Sequence, residues 1–524
     1  MMRFRIDCGQ VVGVIPYLSN AVMGITSWNL LRQGVELQRT LEEITPAPLL
    51  RRTMGTLNSG IGIDRGTGVY REDAAGDPHH DFTFIDQILD AIATPDSTPF
   101  FGLDFMPEAL SSGAEQQLSA PGMRIDRFPP KDLGRWYDLI VAVVTHCLDR
   151  FGEAFVSQWY WDFWNEPDLE YYWLGSQEAF FETYDYTAAA VKAALPTAKV
   201  GGPGPTDRRR PIFKAFLENC MRGSNYCTGE TGTPLDFITF HIKGGATGKL
   251  GEFSNPWEAQ DYERKHPSLD FMMETAQWVL ETVASVPGLE GLPLFFTECD
   301  IDWGTGTSIY HNPNMHYRNS EYFAAFQCAM NIKMHNLSAD YPDNPIRATF
   351  LDTFYSPGQR LFEGQRTLIT GDMIDKPILN GLRLLGKLGK QRLAVKGPAP
   401  APVDLIATTS EDGSLRVMAV NFREAFDYDE EQTVRLHLTG MADGSWRCRH
   451  YRIDANHSNA YSVWLSQDRP IIPTHSQLAT LLERMGVELF EPVANLSVTE
   501  GEARLETTLP PHAVSFWLLE RLKA

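Results

Sequence analysis

The stretch WYWDFWNEPDLEYYW, running from Trp159 to Trp173, decides the fold. It opens as a short apolar run of the kind found in strands buried on both faces. It then breaks at Asn165 and Glu166, followed by Pro167, and closes on more aromatic rings. Working outward, runs of the same texture recur from about residue 50 to 390: RRTMGTL from Arg51, PFFGLDF from Pro99, AKVGGPG from Ala198, LDFITFHIKG from Leu235, LPLFFTEC from Leu292 and RATFLDTF from Arg347. Between them lie segments with apolar residues at spacings of three and four, clearest in DFTFIDQILDAI, GRWYDLIVAVVTHCLDRFG and LDFMMETAQWVLETV. Strand and helix in alternation, with apolar strands, predict a parallel sheet. One further strand between Val11 and Thr26 completes the α/β fold expected here, a (β/α)8 TIM barrel. A doubly wound sheet is the alternative.

Near Gly397 the texture changes. KGPAPAPVD reads as a linker, and beyond it come short strands: DLIATTS, SLRVMAVNF, QTVRLHLTG, WRCRHYRI and HAVSFWLLE. They predict an accessory C-terminal β-sandwich. The opening strand RFRIDCG is expected to join it. The expected division is 1–15 with the sandwich, 16–396 as the barrel and 397–524 as the accessory domain.

The formal net charge of -21 argues against nucleic acid or an anionic membrane as partner, since phosphate binding needs basic surface. No apolar run is long enough to span a membrane. MMRFRIDCGQ lacks the apolar core of a secretory signal. Seven cysteines without CxxC pairs make structural disulfides and zinc unexpected, and a reducing, cytoplasmic location is the expectation. No metal motif and no phosphate-binding glycine loop stands out, so neither a metal nor a cofactor is expected.

Two strands end in a glutamate: WYWDFWNEP at Glu166 and LPLFFTEC at Glu298. By count these are the fourth and seventh strands, and side chains at the C-terminal ends of barrel strands face one mouth. Glycoside hydrolysis needs such a pair, one carboxyl protonated and one ionised. An apolar, aromatic setting raises a carboxyl pKa, which assigns the acid role to Glu166 beside Trp161, Phe163 and Trp164, and the nucleophile role to Glu298. The aromatic residues could also stack on sugar faces.

At these residues the chain resembles glycoside hydrolase family 39, in FTFIDQILDAI, PFFGLDFMPEALSSG, PPKDLGRWYDLI, WYWDFWNEPDL and VGGPG. The resemblance implies retention of configuration, acid/base catalysis at Glu166, a nucleophile at Glu298, and Asn165 on the sugar 2-hydroxyl. It also implies an oligosaccharide or glycoside as the partner. The segment LENCMRGSNYCTGETGTPLDFITFHIKGG is similar to α-L-iduronidases of that family, as is FEGQRTL. That likeness implies a uronic-acid substrate whose carboxylate is held by Lys243 and Arg366 with the backbone of Gly304, and whose hydroxyls meet Asp352. Histidines usual in iduronidases are replaced by Met54, Phe84 and Leu169. A β-xylosidase or an arabinose-releasing enzyme is therefore the alternative, and a non-catalytic carbohydrate-binding protein is the rival of another class. His241 is expected to line the site, or else to be a core histidine. Trp303 in CDIDWG is expected as a sugar platform or a loop anchor.

Overall fold

The computed structural model describes residues 2–58, 68–113, 117–120, 123–206, 211–245, 266–302, 309, 313–353, 360–398 and 402–522. Its first sheet is wholly parallel. In order around it lie Ala21–Ile25, Leu49–Thr53, Ser97–Leu103, Tyr160–Phe163, Lys199–Pro203, Phe237–Lys243, Leu294–Asp300 and Ile346–Thr349. After Phe350 the last of these continues as Leu351–Asp352, which pairs with Ala21–Ile25. Thr349 and Thr353 also donate backbone N–H groups to the carbonyls of Leu18 and Met23. The sheet thus nearly closes on itself, as a TIM barrel does. Among the described helices, Thr83–Ile92, Leu133–Phe151 and Leu269–Ala284 stand where the apolar spacing predicts them. Side chains of Asp132, Ser176, Ser268 and Ser320 accept from backbone N–H groups in the first turns of the helices that follow them, fixing those starts.

Alternation along the strands sorts the barrel interior into levels. Its lower level is an aromatic plug of Phe100, Tyr160, Phe237, Phe295 and Phe350, with ring centroids about 5–6 Å apart. Two residues beyond Leu50, which packs against the plug, and beyond Tyr160 and Phe237, the residues Arg52, Asp162 and Thr239 replace apolar groups with a hydrogen-bonded cluster. Above it stand His241, Lys243, Glu298 and Asp300. The plug removes water from below, so these polar groups must satisfy one another or a ligand from above.

The second sheet is separate and mixed. Met2–Val14 pairs parallel with Gln432–Thr439 and antiparallel with Gln391–Lys396. The strand Gln391–Lys396 lies before the linker stretch yet already belongs to this sheet. Its described strands form one hydrogen-bonded path rather than two sheets, with Ala494–Val498 alone branching off it onto Gly444–Ile453. Residues from distant parts of that path, such as Val434, Leu436, Trp446 and Trp517, nevertheless share one apolar cluster, so the sheet folds over its own core. Two helices, Ala460–Ser466 and His475–Arg484, interrupt it; the strand-like reading of this half did not anticipate them.

Candidate active site

The backbone of the opening stretch is unusual. Trp164 has φ 66° and Glu166 φ 46°, left-handed conformations that non-glycine residues rarely adopt and that cost about 1–3 kcal/mol each. The Glu166 N–H donates to the Gly204 carbonyl at 3.0 Å, and the Trp164 indole donates to the Tyr172 carbonyl at 3.1 Å. The rings of Trp159, Trp161, Phe163 and Trp164 are wholly buried, and Trp164 meets Trp173 edge to face. These rings therefore hold a strained turn in place; they are not the sugar platforms that the sequence suggested.

Glu298 is aimed by a local irregularity. The strand Leu294–Asp300 follows its neighbour residue for residue to Phe296↔Phe240, then skips Thr297, so that Glu298 faces His241. One extra residue re-aims the side chains that follow, as a β-bulge does.

Glu166, His241 and Glu298 each place a ligand-type atom within 4.8 Å of the others'. His241 Nδ1 lies 2.9 Å from Glu166 Oε1 and 3.6 Å from Glu298 Oε1. Lys243 Nζ donates to Glu298 Oε2 and to Asp300 Oδ2. Arg52, fully buried, donates through Nε to Asp162 at 2.7 Å, and its Nη1 reaches Glu298 Oε1 at 3.4 Å. The same guanidinium donates to Asn165 Oδ1 at 3.2 Å and to the Trp164 carbonyl at 3.3 Å. Arg52 and Asp162 thus tie three strands beneath the two glutamates, and neither was singled out in the sequence.

This arrangement drives the two carboxyls apart. Burial pushes the Glu166 pKa up, and the Glu298 charge pushes it further, to about 8. Burial works in the same direction on Glu298, but the Lys243 and Arg52 charges outweigh it and hold that group well below the usual carboxylate range. Burial holds the His241 ring neutral, with its pKa down to about 3. A neutral ring with its proton on Nδ1 donates to Glu166 Oε1 and leaves the carboxyl proton on Oε2, free to move. Glu166, His241 and Glu298 have the donor types of a metal site. Two cations already occupy the Glu298 carboxylate, however, and would repel a divalent ion.

Asn165 has its Oδ1 on Arg52 and its Nδ2 buried without a partner among the described residues, a donor that suits a ligand hydroxyl. Arg366 and Asp352 also reach the site. Arg366 contacts Asp352 Oδ2 at 3.1 Å, Asp300 Oδ2 at 3.2 Å and the Asp302 carbonyl. Lys243 and Arg366, read from the sequence as grips for a substrate carboxylate, are thus both engaged with protein carboxylates. Met54 and Phe84 are buried apolar residues, and Leu169 is partly buried. Trp303 and Gly304 lie outside the described residues.

The model of the family described as Glycosyl hydrolases family 39 matches residues 52–498. A β-xylosidase of Geobacillus stearothermophilus is 27% identical over 476 residues, covering 90% of this chain and 86% of that protein. The human α-L-iduronidase is 35% identical over 148 residues, covering 27% of this chain and 23% of that protein. The crystal structure of a monomeric β-xylosidase from Caulobacter crescentus CB15 superposes with a TM-score of 0.79 at 23% identity, covering 100% of both chains.

Proposed function

The chain belongs to glycosyl hydrolases family 39 and is a glycoside hydrolase, and from that premise we propose that it is a retaining, exo-acting enzyme working through Glu166 and Glu298. The observation that carries this reading is the pair itself. One carboxyl is held protonated and one ionised, with oxygens within 4.8 Å. Retaining enzymes keep their carboxyls about 5–5.5 Å apart, whereas inverting ones leave about 6.5–9.5 Å for a water. Glu166 gives its proton to the leaving oxygen as Glu298 attacks the anomeric carbon, forming a glycosyl ester. Water then attacks that carbon as Glu166 takes its proton, and Glu298 leaves as carboxylate. Burial of both glutamates fits a closed pocket that admits a terminal sugar. In this reading the (β/α)8 barrel within 16–396 carries the chemistry, and the folded-over mixed sheet is an accessory β-sandwich that includes Met2–Val14 and Gln391–Lys396.

Charge balance bears on the sugar. Among the described residues, the cations Arg52, Lys243 and Arg366 face Asp162, Glu298, Asp300 and Asp352. Acids already outnumber bases, so a substrate carboxylate would enter a negative field. This favours a neutral terminal sugar, with the pentosides of β-xylosidases the first class to test. The second reading is a uronide. It rests on Lys243 and Arg366 standing beside the glutamates and on the buried Arg366 Nε, which has no partner among the described residues. Aryl xyloside, arabinoside, glucuronide and iduronide assayed side by side separate the two. A higher kcat/KM on a neutral sugar is expected. A preference for a uronide overturns the sugar assignment, and hydrolysis of none of the four overturns the exo-glycosidase reading.

A further inference from the structure

The sequence motif YRIDANHSNAYSVW, Tyr451 to Trp464, lies in the mixed sheet's half of the chain and has no place in the mechanism above. Its last turn forms the helix Ala460–Ser466, which leaves its own sheet and covers the barrel segment that carries Arg366. The Phe362 ring, wholly buried, sits 5.3 Å from Tyr461 and 5.4 Å from Trp464, centroid to centroid. Leu361 and Ile374 complete the same apolar cluster.

The backbone between this cluster and Arg366 is pinned carbonyl by carbonyl. Phe362, at φ 48°, accepts from Asn319 Nδ2 at 2.8 Å. Gly364 accepts from Arg318 Nη1 at 3.2 Å, and Gln365 accepts from Lys376 Nζ at 2.8 Å. Arg318 also grips Asp302, and the Asp302 carbonyl accepts from Arg366. The helix itself is tied down at its start, where Asn459 donates to Glu321 of the barrel at 2.9 Å and Asn380 donates to the Ser458 carbonyl at 2.9 Å. A left-handed Phe362 persists only where its surroundings over-determine it. Among the described residues of its apolar cluster, no other is as large as Tyr461 and Trp464.

We propose that Trp464, with Tyr461, is a positioning residue for the glycosidase site: the second domain's helix Ala460–Ser466 clamps Phe362 and thereby sets where Arg366 stands beside Asp300 and Asp352. The two domains are then one catalytic unit, and the grip on the terminal sugar is set partly by a residue that never touches it. This inference rests on the site assignment above.

The test is a double-mutant cycle of Trp464→Ala and Arg366→Lys, read as KM and kcat on the aryl glycoside the wild type hydrolyses best. Trp464→Ala is expected to lower kcat/KM about three- to thirtyfold. The loss should fall on KM, with most of it restored in Trp464→Phe. In the Arg366→Lys background the same substitution should cost less than about twofold, because the group it positions is already changed. Phe362→Leu, which keeps the apolar volume and loses the ring contact, should reproduce the KM effect if Trp464→Ala does not fold. A folded Trp464→Ala or Phe362→Leu variant with wild-type KM overturns the proposal, as does an equal loss in both backgrounds. A wild type without turnover sinks the functional reading instead, which keeps the two failures apart.

Discussion

Replacing Lys243 by methionine removes a positive charge from beside Glu298, the proposed nucleophile, while keeping the length of the side chain. In the structure Lys243 Nζ serves two carboxylates, Glu298 and Asp300. Asp300 keeps Arg366 at 3.2 Å and the Asp352 N–H at 3.0 Å, so the variant leaves it paired and the fold should survive. Among the described residues, Glu298 keeps Arg52, at 3.4 Å, and the neutral His241, at 3.6 Å. A hydrogen bond to a charged group is worth about 1.5–3 kcal/mol, equivalent to about a ten- to hundredfold change in an equilibrium or a rate. That energy favours ionised Glu298, so its loss moves the Glu298 pKa upward. Activity needs Glu298 ionised and is lost as pH falls through that pKa. The acid limb of kcat/KM against pH should therefore move to higher pH. Lys243 also holds the Glu166 pKa down, so the alkaline limb should move up as well. The assay is a full pH profile on a neutral aryl pentoside, with the charge-keeping Lys243→Arg variant as control. An acid limb that stays in place, or moves to lower pH, refutes the electrostatic account of the nucleophile.

Other substitutions probe the same pair. Glu298→Ala should lose nearly all turnover, since no other group can form the ester, and azide should restore part of it as an azide adduct of opposite anomeric configuration. Glu166→Ala should keep measurable activity on glycosides with good leaving groups, with azide restoring the second step; wild-type rates in both alanine variants would dismiss the assignment. Glu166 should also leave a mark on stability. Its folded pKa, about 8, lies above the ordinary 4.5, so the folded state holds a proton that the unfolded state has released. Stability from this group is complete below 4.5 and declines as pH rises toward 8; Glu166→Gln should flatten that decline in urea titrations across the range. An unchanged slope would remove the buried, protonated acid. Arg52→Met should destabilise by about 3–5 kcal/mol, because it strands a buried Asp162. A denaturation midpoint equal to wild type would show that the pair contributes little.

The parallel sheet and the placement of Glu166 and Glu298 were legible because apolar strands alternate with amphipathic helices and each glutamate closes such a run. Arg52 and Asp162 were not read, although each puts a charge inside an apolar run. That is costly unless paired, and the partner lies 110 residues away, which no local pattern encodes. The bulge at Thr297 is equally silent, since a skipped residue changes register without changing composition. The aromatic stretch misled for a related reason: a ring that packs and a ring that stacks on sugar look alike until burial separates them. Resemblance named Lys243 and Arg366, and the structure puts both against Asp300. What resemblance could not give was Asp300 between them, an acid that already engages both cations.

The proposed mechanism has Glu298 carry the sugar between the two chemical steps. It is tested most directly by mass spectrometry of the Glu166→Ala variant, quenched during turnover of an aryl glycoside with a good leaving group. Without its base that variant should accumulate the ester, and peptide mapping should place one sugar residue on the peptide containing Glu298. A sugar on any other residue, or steady turnover with no adduct at all, would contradict the account.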